Sequence, residues 1–79
     1  MKLPIIRALA AAHTEAELLA AEAALLEGEA LPFPVDGVDE GEQYTHILGA
    51  LDVVRAVAAG QDEREALRAF GQRVRNSIG

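Results

Sequence analysis

Apolar residues recur at three- and four-residue spacing along most of this chain, and at two-residue spacing in one stretch near its middle. The last third gives the simplest pattern. Ala66, Leu67, Phe70, Val74 and Ile78 share one stripe, and Arg64, Glu65, Arg68, Gln72 and Arg75 fill the opposite side, as in a surface helix with one buried face. The segment before it is more apolar. At about 100° per residue, Tyr44, Ile47, Leu48, Ala50, Leu51, Val53, Val54, Val57 and Ala58 cover more than half of a helix circumference. Such a helix has to be covered from more than one side, and a second copy of the chain is the economical cover. Tyr44, Ile47, Leu48, Leu51 and Val54 are the expected interface residues of that homo-oligomer, most simply a twofold dimer. Further upstream, Leu18, Leu19, Leu25 and Leu26 are read as one arc, and Ala16, Ala20, Ala23 and Ala24 as a flat second arc suited to close helix approach.

Local signals bound these elements. Thr14 with Glu17, Asp39 with Glu42, and Asp62 with Glu65 have capping-box spacing, in which two residues satisfy each other's free backbone N–H groups. Gly28 and Gly60 supply the left-handed residue that ends a helix. The spacing predicts helices over 4–12, 15–27, 40–59 and 63–76, with Pro4 tolerated in an opening turn. Between the second and third helices, Pro32 and Pro34 force an extended strap, and Asp36-Gly37 signals a turn. Leu31, Phe33 and Val35 alternate along this strap, so one side of it is expected on apolar surface. Gly49 and Gly71, inside helical runs, suggest close approach by neighbouring helices. The expected fold is all-α. It is a single domain over 1–79, a small bundle of four helices with a proline-containing strap, completed by dimerisation.

Composition narrows the chemistry. Seventy-nine residues make a core of marginal size, which often leans on disulfides, metals or a partner subunit. With no cysteine, disulfides, thiolate zinc sites, iron–sulfur clusters and cysteine nucleophiles are excluded. No stretch has the length of a signal-peptide core or of a membrane span, so a cytoplasmic protein without membrane contact is expected. A net charge of −6 argues against nucleic acid as a partner. The charge is uneven: two bases and ten acids precede Val53, while five arginines and three acids follow. The basic end can pair with the acidic front within one chain, pair between chains, or be solvated.

Three residues invite a chemical reading. Glu22 falls in the leucine arc of the second helix, with Glu15 seven residues before it, and a buried carboxylate has to be protonated, paired or bound to metal. His46 sits on the apolar side of the third helix, with Glu42 one turn earlier. Antiparallel packing of the two helices would gather Glu22, Glu42 and His46, and a dimer axis would double the set into a ferritin-like carboxylate and histidine centre for a divalent metal. The spacing of Glu42 and His46, i to i+4, departs from the Glu-x-x-His of those centres. The competing reading pairs Glu22 with an arginine or with His46 and leaves Glu42 as a capping acid, so that no cofactor is bound. His13 is expected at an exposed helix end. No serine stands near a base and the glycines match no phosphate loop, so no catalytic residue is assigned.

The opening Met1-Lys2-Leu3-Pro4-Ile5-Ile6-Arg7 and the central Gly49-Ala50-Leu51-Asp52-Val53-Val54 carry a resemblance. So does the ending, from Glu65-Ala66-Leu67-Arg68-Ala69-Phe70 through Val74 and Ser77-Ile78. With them the chain resembles a family of short, uncharacterised bacterial proteins, mainly from Bacteroidetes, and the resemblance brings no function with it. The expectation from the residues is a non-enzymatic, self-associating helical protein that serves as a small subunit or adaptor, with a larger protein as a further candidate partner.

Overall fold

The structure, a computed structural model, describes residues 2–78, with side chains through Arg75; Ile78, expected on the buried stripe of the last helix, lies outside the described side chains. Four helices form: α1 (Leu3–Ala12), α2 (Glu15–Leu26), α3 (Glu40–Ala58) and α4 (Glu63–Ile78). No strand occurs among the described residues. The ends fall within two residues of those the sequence predicts, the usual scatter for fraying helices.

The caps explain that agreement. Glu17 N–H donates to Thr14 Oγ1 (3.2 Å) and Thr14 N–H donates to Glu17 Oε1 (2.8 Å), a complete capping box. At α3 only half of the box forms. Asp39 Oδ1 accepts from Glu42 N–H (2.8 Å), while the Glu42 carboxylate reaches one residue further back and accepts from Val38 N–H (3.0 Å). At α4, Asp62 Oδ2 accepts from Arg64 N–H (3.1 Å). Gly28 and Gly60, at φ 72° and 98°, close α2 and α3 with the paired backbone bonds of a Schellman motif: Glu29 N–H to Ala24 O, and Gln61 N–H to Ala56 O.

The backbone N–H of Thr14 holds the Glu17 carboxyl below its ordinary value of 4.5, and that of Val38 does the same for Glu42. A carboxyl lowered in the folded state contributes stability above its unfolded pKa, and loses it as pH falls through the folded value. The urea midpoint should therefore drop as pH falls below 4.5. The Glu17→Gln/Glu42→Gln double variant should lose part of that acid sensitivity, and an unchanged acid limb in urea titrations would refute these assignments.

α3 is the axis of the molecule. α1, α2 and α4 each pack on it; α1 also touches α4, whereas among the described residues α3 is the one helix that α2 packs on. On one side of α3, Ile47, Ala50 and Leu51 join Leu9, Leu18, Ala21 and Val35. Val53, on another side, joins Ile6 and Ala66, with Phe70 packed against them. The strap completes the cover as its alternation predicts: Val35 is buried, Leu31 and Phe33 are half-buried, and Pro32 and Pro34 face outward. The expectation that α3 needs a second copy of the chain is thus corrected at its centre. Ile47 and Leu51 are buried in the chain's own core, so neither is available as an interface residue. Tyr44 and Val54 are half-buried, and Leu48 is the most open of the five at 37 % exposure.

Candidate association surface

Among the described residues His46 is the buried polar side chain of the core, at 0 % exposure. Its ring is held at both nitrogens. Nε2 accepts from the backbone N–H of Lys2 (3.0 Å), and Nδ1 lies 2.7 Å from the carbonyl oxygen of Asp36. A carbonyl can only accept and an N–H can only donate, so the ring is the neutral tautomer with its proton on Nδ1. Through these two bonds α3 fastens the start of α1 and the end of the strap. One turn earlier, Gln43 Nε2 donates to Val35 O (2.9 Å) and holds the strap at a second point. His46 is therefore a structural tie between segments distant in sequence.

The carboxylates proposed with it are used differently. Glu42 caps the approach to α3 through Val38, as described above. Glu22 is half-buried at the boundary of the α2 core face, not in the middle of a leucine arc. Among the described residues no group of three or more His, Cys, Asp or Glu side chains is placed to hold a metal ion. His13 departs from its expected exposure. Its ring stacks on Phe33 of the strap, with centroids 3.7 Å apart and planes at 13°, and its Nδ1 lies 3.9 Å from Glu17 Oε2. That stack locks the α1–α2 corner onto the strap; neither residue's neighbours in sequence signal it.

The unusual surface lies on α2. Leu18 and Ala21 are buried and Leu25 packs beside them. Leu19 and Leu26, read from sequence as part of the same arc, turn outward with 39 % and 67 % exposure. Ala16, Ala20 and Ala23 are also exposed. Residues at spacings of three and four share a helix face, so Ala16, Leu19, Ala20, Ala23 and Leu26 form one continuous apolar strip. It looks away from the core. Glu15 and Glu22 run along one edge of the strip, and Glu17 lies on the other side. Glu15 is paired with Arg55 of α3 (3.1 Å). α2 thus has two apolar faces and one helical neighbour.

A second surface lies between α1 and α4. Leu3, Pro4, Arg7, Ala8, Ala11 and Leu67 line a groove of about 450 Å³. Arg64 and Arg68, one turn before Leu67 and one residue after it, are exposed beside it. Three of the chain's arginines are paired internally: Arg7 with Glu63 (2.9 Å), Arg55 with Glu15, and Arg73 with Asp52. Part of the charge asymmetry is therefore resolved within the chain.

The family comparison decides where this chain belongs. The sequence matches the family of unknown function DUF6952 over residues 1–79, that is, from end to end. The chain belongs to that family. No curated protein and no solved structure matches it. Membership accords with the expectation of a family without a known function, and it transfers no activity. Among the described residues no helix is long and apolar enough to cross a membrane.

Proposed function

We propose that this protein is a non-enzymatic helical subunit that associates with further copies of itself through the outer face of α2, and so serves as a small building unit or adaptor in an assembly. One observation carries the reading. α2 is apolar on the face that meets α3 and apolar again on the face turned away from it, where Leu19, Leu26 and three alanines stand exposed. An isolated surface leucine is ordinary; a contiguous apolar strip along a whole helix marks an interaction surface. The alanines favour a helical occupant, because small side chains let a second backbone approach closely. A chain of this length gains from such cover, since its own core is small.

Light scattering after size exclusion tests the reading. At micromolar concentration the native chain should elute at a multiple of its 8.4 kDa mass. The Leu19→Glu/Leu26→Glu variant should elute at the single-chain mass with unchanged helical circular dichroism. These positions are already exposed, so charge there should spare the fold. A native chain that stays at one mass unit, or a variant as large as the native protein, would contradict the proposal.

A further inference from the structure

The outer strip of α2 is an apolar ridge edged by acids, and α2 itself contains no basic residue. The groove between α1 and α4 is an apolar hollow edged by arginines. Arg64, Arg68 and Arg75 stand on the exposed side of α4, and none of them is in an ion pair among the described residues. Since among the described residues α3 is the one helix that α2 touches, while α1 and α4 touch each other across their own edge, ridge and groove belong to different sides of the molecule. One chain cannot fill its own groove with its own α2.

From this we infer that association is head-to-tail: α2 of one copy lies in the α1–α4 groove of the next. The inference rests on the self-association proposed above and names the second half of the interface. Its argument is charge. Pairing two α2 ridges face to face would set Glu17, Glu22 and Glu27 against their own counterparts, with no base on either helix to relieve the repulsion. In the groove the same edges meet Arg64 and Arg68, while Leu19 and Leu26 are carried onto Leu3, Ala8, Ala11 and Leu67. The contact uses different patches on the two partners, so it extends into a chain or closes into a ring, according to the rotation between copies.

The two patches can be disabled separately. Arg64→Glu/Arg68→Glu spoils the groove and keeps the ridge; Leu19→Glu/Leu26→Glu spoils the ridge and keeps the groove, and an acidic ridge cannot pair with an acidic groove. Each variant alone should associate at least about tenfold more weakly than the native chain and run at one 8.4 kDa mass by sedimentation velocity. Mixed in equal amounts, they should form a species of two chains that grows no further, because one intact ridge meets one intact groove. Circular dichroism confirms that each is folded, and the milder Arg64→Gln/Arg68→Gln pair repeats the test if charge reversal disturbs α4. If the native chain associates but the arginine variant keeps the native mass, or if the mixture forms no two-chain species, the head-to-tail contact is overturned and self-association stands. If the native chain is monomeric throughout, both fall.

Discussion

Replacing His46 by alanine should destabilise the fold by about 2–4 kcal/mol, the largest loss expected from any polar residue here. Three effects combine. The substitution empties a fully buried site, removes the acceptor for Lys2 N–H, and removes the donor for Asp36 O. Total stability for a domain of this length is on the order of 4–12 kcal/mol, so the loss is a large share of the whole. Two further variants separate the causes. His46→Phe keeps the volume and orphans both backbone groups, and it should recover only the cavity part. His46→Gln can both donate and accept, and should recover more if the bonds dominate. Urea unfolding followed by circular dichroism gives the order. Hydrogen exchange over residues 31–38 gives the location, since the strap should open before the helices do. A His46→Phe protein as stable as the native chain would show that the two bonds contribute nothing.

The second large effect concerns a pair of glycines with opposite outcomes. A Cβ added at Gly49 would lie 2.7 Å from Ile6 Cδ1 and 2.9 Å from Phe70 Cε2. Ile6 is completely buried, so it has no space to retreat into, and the ring of Phe70 closes the other side. Overpacking of this kind typically costs about 1–3 kcal/mol, which outweighs the ~0.5–1 kcal/mol by which alanine is the better helix residue. At Gly71 the nearest atom to an added Cβ is Leu3 Cδ1 at 3.7 Å, an ordinary contact. Gly49→Ala should therefore lower the melting temperature, and Gly71→Ala should raise it. Thermal unfolding of the two single variants checks both signs. Equal shifts in one direction would mean that propensity alone, and not the close crossing of α1, α3 and α4, governs these positions.

These residues show what the sequence discloses and what it conceals. The helix ends were legible because caps act over three or four residues: Thr14 with Glu17, Gly28 with the last turn of α2, and Gly60 with that of α3. The strap was legible for the same reason, since Leu31, Phe33 and Val35 alternate and prolines hold them extended. Gly49 was legible as a close approach, although the side chains it admits, Ile6 and Phe70, come from helices far away in sequence.

The faces of α2 were not legible. Leu18 and Leu19 lie about 100° apart on a helix that is apolar nearly all round, so periodicity cannot say which of them meets the core. The position of α3 decides it, taking Leu18 and Leu25 and leaving Leu19 and Leu26 outside. Exposed apolar side chains thus stand on both helices, Leu48 and Val57 on α3 and Leu19 and Leu26 on α2. Among the described residues α3 has three helical neighbours, while α2 has α3 as its one helical neighbour. His46 stands out in the sequence as a histidine on an apolar helix face, whereas the groups it bonds do not. It binds the backbone of Lys2 and Asp36, and backbone groups leave no mark in a sequence. With its ring nitrogens so engaged, no gathering with Glu22 and Glu42 arises among the described residues.

Sedimentation equilibrium of the native chain over a hundredfold range of concentration tests the central claim most directly. An average mass that climbs from near 8.4 kDa through its multiples as concentration rises is the result expected of a protein that covers the outer face of α2 with its own copies. An average mass fixed at 8.4 kDa across the whole range would contradict it.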